Sequence, residues 1–101
     1  MVRKYNTNRI GNSWTEAEKK EVWEMGKVIH NYSPEIWKSD ICKKAIKWTE
    51  YGNKNSVYGW EIDHKIPVSN GGSDEISNLQ PLQWENNVNK GDNLNWLCTK
   101  N

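Results

Sequence analysis

Residues 60–92 read WEIDHKIPVSNGGSDEISNLQPLQWENNVNKGD, and the order of signals in them restricts the fold more than any other stretch. VYGWEID alternates Tyr58, Trp60 and Ile62 with smaller or polar residues, the two-residue period of a strand. Pro67 and the turn formers SNGGSDE end it. NLQPL reads as a short second strand. Pro81 has no N–H for a ladder, so this is an edge or a strand end. QWENNVNK then reads as a helix closed by Gly91 at C′. Strand, long turn, short strand and helix predict an α+β domain. Its first strand ends on an adjacent aspartate and histidine, Asp63 and His64. Asn78 follows 14 positions after His64, and Asn87 another 9 on.

The remaining chain reads as support for this unit. Residues 1–12, with Arg3, Lys4 and Arg9, form a polar, basic arm expected to fray, or in a sharper reading to touch phosphate. Residues 13–101 form one domain, with the strand–strand–helix core at about 57–93. Thr15 with Glu18, and Ser13 with Glu16, both fit a capping box, and Val22, Met25 and Ile29 predict one buried helical stripe. His30 is then a partner for the dipole at that helix's C-terminus. Ser33 and Pro34 open a short helical turn, CKKAIKW fits either a strand or a helix end, and EYGNKNSVYG is a loop. With 35% hydrophobic residues and a mean hydropathy of −1.01, the core must be thin. Seven tryptophans and no phenylalanine imply that indoles fill it while satisfying their N–H groups.

Charge and cysteines limit the setting. A net charge of +1 does not announce a nucleic-acid binder, so any basic face must be local. Lys43, Lys44, Lys47, Lys54, Lys65 and Lys90 are candidates for it, with scattered surface lysines as the plainer reading. Cys42 and Cys98 are far apart, with no CxxC and no apolar secretory stretch, which predicts free thiols and a cytoplasmic protein, host cytoplasm if phage-encoded. No apolar run is long enough to span a membrane, so no membrane partner is expected.

DHKIP, GGSDEISNLQPL and NNVNKGD, at these spacings, resemble the HNH endonuclease family. The resemblance covers residues 58 to about 93 and implies a ββα-metal (His-Me) finger, here with an N-terminal helical elaboration. It implies a nuclease that hydrolyses DNA phosphodiester bonds by nicking or double-strand cleavage, leaving a 5′-phosphate and a 3′-hydroxyl. RNA stays open as a substrate, and a specificity-conferring protein or a second copy of the chain as a partner. In the family the middle asparagine, here Asn78, steadies the loop and the histidine. Many members hold the finger with zinc on two CxxC pairs. Gln83 and Asn86 occupy the second pair's positions and no first pair precedes them, so no structural zinc is expected, with Trp60 and Trp84 packing in its place.

The chemistry fits these residues. Phosphodiester hydrolysis needs a base for water and positive charge near the phosphate. His64, with a reference pKa of about 6.5, suits the base. Asp63 and Asn87 are hard oxygen ligands that suit Mg²⁺ or Mn²⁺. Asn86, Asn87 and Asn89 compete for the ligand role on the helix. Trp84 and Val88, four apart, are expected to face the core, which puts Asn86 nearly opposite and Asn87 at the flank of that stripe, and the family spacing also selects Asn87. Lys65, Lys90 and Lys54 are the candidates for nucleic-acid contact. Asp63 and His64 converge only if the strand ends there, since neighbours on a regular strand face opposite ways. Glu61 is either an accessory ligand or a solvated strand residue. The plain alternatives are a strand-capping His64 and turn-forming Asp63 and Asn78. A non-catalytic nucleic-acid-binding module that keeps the finger, or a detached toxin nuclease domain, would carry similar residues, though binding alone does not require His64.

Overall fold

A computed structural model describes residues 4–98. In order along the chain these form α1 (Glu16–Trp23), β1 (Trp37–Ser39), β2 (Ala45–Lys47), β3 (Trp60–His64), β4 (Leu79–Gln83) and α2 (Trp84–Lys90). Two antiparallel pairs, β1–β2 and β3–β4, make this a small α+β fold among the described residues. Of the two capping boxes, Thr15 forms one. Its Oγ1 accepts from Glu18 N at 3.1 Å and its own N–H donates to Glu18 Oε1 at 2.8 Å.

The first helix is shorter than the apolar period predicts. It stops at Trp23, Met25 is exposed, and only Val22 of the expected stripe is fully buried. The reason is competition from a strand edge. Lys27 exchanges backbone hydrogen bonds with Ser39 at 2.9 and 2.8 Å, which extends the stretch that would have continued the helix. His30 therefore lies exposed in a turn, seven residues past the helix end, and is no dipole partner. CKKAIKW resolves as β2 followed by a 3₁₀ turn at Trp48–Glu50.

The core is an indole cluster. Trp60 is fully buried, with the rings of Trp23, Trp48 and Tyr51 centred 5.1, 5.8 and 5.0 Å from its own. Val22, Ile46, Ile62 and Leu79 complete it. Trp23, Trp60 and Trp84 donate to backbone carbonyls of Pro34, Trp48 and Ser56. The buried Nε1 atoms of Trp14 and Trp96 have no partner among the described residues, so the expectation that each indole satisfies its N–H does not hold throughout.

The arm does not fray over its described part. Asn6 Oδ1 accepts from Tyr51 Oη at 3.0 Å and from Ile62 N at 2.8 Å, and Arg9 N donates to Asp74. Arg3 lies outside the described residues. At the other end, Cys42 and Cys98 form a disulfide. This overturns the expectation of free thiols and removes the premise for a reducing compartment. A separation of 56 residues hides the pairing from any local pattern.

The structural staple is polar. Asp40 is fully buried, and its Oδ1 accepts from Cys42 N and Lys44 N, both at 2.9 Å. Its Oδ2 accepts from Gln83 N at 2.9 Å and Asn86 Nδ2 at 3.0 Å. One carboxylate thus ties the β1–β2 turn to the β4–α2 junction. Trp84 is only half-buried and Trp60 belongs to the indole cluster, so aromatic packing is not what joins these two segments. Asp40→Ala should lower stability by at least about 3 kcal/mol, because it strands buried donors that each cost about 1–3 kcal/mol; urea denaturation measures this. Reduction of the disulfide should lower it further, by up to about 4 kcal/mol on a chain-entropy basis. Denaturation with and without reductant checks that value.

Candidate metal and catalytic site

β3 is buried along its whole length, not on one face only. Ile62 points into the apolar core, whereas Glu61 and Asp63 are buried against α2 and β4. The register pairs Asp63 with Gln80 and His64 with Leu79, and the chain bends immediately afterwards. Asp63 and His64, the last two residues of β3, both border one cleft. Asn87 borders it too, from the first turns of α2, with Tyr5 and Asn6 of the arm and Asp92 closing its rim. The cleft holds about 20 Å³, room for roughly one water or ion.

Each of these side chains is oriented by a second one. Asp63 Oδ2 accepts from Gln80 Nε2 at 2.9 Å, and its Oδ1 lies 3.2 Å from Lys90 Nζ. Burial pushes the Asp63 carboxyl above its ordinary pKa, while Gln80, Lys90 and His64 pull it back. Asn87 Nδ2 donates to Glu61 Oε1 at 2.8 Å, which leaves the amide's carbonyl oxygen as its end for a cation. His64 Nε2 lies 2.7 Å from Asp74 Oδ1, and the indole of Trp14 packs on the ring. Asn78 stands just before β4. Its Oδ1 accepts from Ile66 N at 2.8 Å and its Nδ2 donates to Ile66 O and Ser73 O at 3.1 and 2.9 Å, which closes the loop after His64. That loop also requires Gly72, where a Cβ would lie 1.7 Å from Ile66 O.

A family model described as HNH endonuclease matches residues 40–93, more than half of the chain. The chain belongs to the HNH endonuclease family. Nuclease activity is the activity of that family, and nucleic acid its substrate. No curated protein and no solved structure matches the chain. The HNH match begins at Asp40, the residue that joins the hairpin to Gln83 and Asn86.

Several features of this HNH site differ from the pattern in the sequence. The inner face of α2 is polar. Asn86, Asn87 and Lys90 are buried, while Val88 is exposed. The expected Trp84–Val88 stripe fails because the neighbouring surface offers carboxylates, and only hydrogen-bonding side chains can satisfy them. Glu61 is not a solvated strand residue. It is buried, holds Asn87, and has Lys54 Nζ at 3.9 Å. Lys90 is buried on Asp63 and donates to His64 O at 2.8 Å, so it is not part of an exposed patch, whereas Lys65 and Lys54 are exposed. Asp74, Asn6 and Gln80 join the site without any sequence signal that separates them from ordinary turn and strand polar residues.

The donors bordering the cleft, a carboxylate and an amide carbonyl, suit a hard divalent cation. Among the described residues no three His, Cys, Asp or Glu side chains converge as a metal-holding group. An ion here would therefore rely on Asp63, the neutral Asn87 oxygen and solvent or phosphate oxygens. The placement of Lys90 has a measurable consequence. Lys90→Met should destabilise the fold by about 3–5 kcal/mol, as expected when one partner of a buried ion pair is removed. Lys65→Ala should change it by less than about 0.5 kcal/mol. Urea denaturation of both variants distinguishes a buried counter-ion from a surface lysine.

Proposed function

We propose that the protein is a divalent-metal-dependent endonuclease hydrolysing DNA phosphodiester bonds, with His64 as general base and with β3, the following loop, β4 and α2 as its ββα-metal finger. The observation that carries this reading is that Asp63, His64 and Asn87, from three positions spread over 25 residues, border one cleft of ion size. Asp63 and Asn87 would hold Mg²⁺ or Mn²⁺, which when bound supplies positive charge to the phosphate and the leaving oxygen. His64 takes the proton of the attacking water. Asn78 keeps the loop from Ile66 to Ser73 closed behind it. Gln80 and Lys90 hold Asp63 in one rotamer, and Glu61 does the same for Asn87. Tyr5 and Asn6 narrow the approach, so the scissile phosphate enters past the arm.

Exposed Lys65 and Lys54, the latter 3.9 Å from Glu61, are the cations offered to the phosphate backbone. Contacts of this kind position DNA without reading its bases, so affinity should fall steeply with salt and depend little on sequence. No helix of the described chain is long and apolar enough to cross a membrane. The Cys42–Cys98 bridge weighs against the cytoplasmic setting expected from the sequence, since such bonds persist in oxidising compartments. It favours a nuclease domain that passes through one, as a toxin domain does.

Plasmid nicking tests the reading. It should require Mg²⁺ or Mn²⁺ and stop with EDTA, and full activity in chelator would sink the metal assignment. His64→Ala should lose about 10²–10⁴-fold in rate while metal and DNA affinity persist. Asp63→Ala should lose metal affinity as well as rate, which calorimetry resolves. A wild type that binds DNA without cutting it would establish the binding-module alternative instead.

A further inference from the structure

The geometry points to Asp74 as the positioning residue of His64: its carboxylate fixes the imidazole as the Nε2–H tautomer and so presents the Nδ1 lone pair to the attacking water. The inference rests on the nuclease reading above and adds to it a residue outside the Asp63, His64, Asn78 and Asn87 set.

His64 Nε2 and Asp74 Oδ1 are 2.7 Å apart. An ionised carboxylate only accepts, so the ring nitrogen must donate. Neutral imidazole has a single N–H, and placing it on Nε2 leaves Nδ1 as the basic atom. Without Asp74 nothing in the described contacts of the side chain would favour either tautomer, because the other contact of the ring is the Trp14 indole, 5.7 Å between centroids and tilted by 40°. Trp14 restricts the plane of the ring; Asp74 determines which nitrogen carries the proton.

Asp74 is itself anchored. The backbone N–H of Arg9 donates to Oδ1 at 3.1 Å and to Oδ2 at 3.2 Å. The loop that carries Asp74 is closed by Asn78 through Ser73 O. The arm, the loop and the base are thus connected by hydrogen bonds, and the arm's link is made by main chain, independent of the Arg9 side chain. This is a carboxylate–histidine arrangement of the kind that orients an imidazole for its task.

The chain has only two histidines, exposed His30 and buried His64, so long-range ¹H–¹⁵N spectra of labelled imidazoles can assign the tautomer directly. Wild-type His64 should show a protonated Nε2 and an unprotonated Nδ1. In Asp74→Ala the signals should move toward mixed tautomers. The kcat for plasmid nicking should fall on the order of 10–100-fold with KM and metal affinity unchanged. Asp74→Glu should recover part of the rate, and Asp74→Ala added to His64→Ala should slow the enzyme no further. A merely structural residue would instead lower stability, leave the tautomer alone and add its loss to that of His64→Ala. A wild-type His64 protonated on Nδ1, or an Asp74→Ala protein with wild-type tautomer and kcat, would overturn the assignment. If the wild type cuts nothing, the nuclease reading fails, while the spectra still decide the role of Asp74. If Asp74→Ala does not fold, the wild-type spectrum alone decides it.

Discussion

Three buried carboxylates each hold a donor from the inner face of α2: Asp40 holds Asn86, Glu61 holds Asn87, and Asp63 holds Lys90. Burying an anion is costly unless donors replace its water. Here one short helix supplies a donor to every one of them. The helix has no buried apolar stripe of its own, so its placement depends on these pairs and on Gln83, whose Oε1 caps it by accepting from Glu85 N and Asn86 N. Stability and site geometry are therefore coupled. Two of the three pairs that dock the helix also orient Asp63 and Asn87.

A buried carboxylate cluster lies behind α2. Asp40 connects Gln83 and Asn86 to the β1–β2 turn. A carboxylate with four donors spans the gap by directional hydrogen bonds. The Cys42–Cys98 bridge fastens Cys98 onto the same turn. Behind α2 the site is tied by Asp40, and in front by the Asn6 contact of the arm and by Asp74.

Much of the site was legible because its chemistry is local in type. An Asp-His pair at a strand end, a Gly-Gly turn and a helix rich in asparagine carry the HNH resemblance, and the family match confirms that identification. The orientation of the helix was not legible. Apolar periodicity assumes that the buried face is apolar, and in α2 it is Asn86, Asn87 and Lys90. Lys90 and Glu61 were open to reading as surface charges for the same reason. A buried charged residue and an exposed one look alike until the partner is known. α1 ends before its apolar period does because Lys27 pairs with Ser39, twelve residues away, a contact that local propensity cannot anticipate.

The sequence by itself determined the order of elements around the site, the family, and the residue types that could serve as base and oxygen ligands. These follow from short-range physics: strand and helix periods, turn chemistry at glycine and proline, and the donor and acceptor capacity of each side chain. Tertiary structure alone decided that Asp74 meets His64, that Lys90 is the counter-ion of Asp63, that Asp40 joins the β1–β2 turn to Gln83 and Asn86, and that Cys42 bonds Cys98. Each is a pairing between segments distant in the chain. Whether a buried charge or thiol finds its partner depends on how the chain closes in space, which spacing along the sequence does not encode.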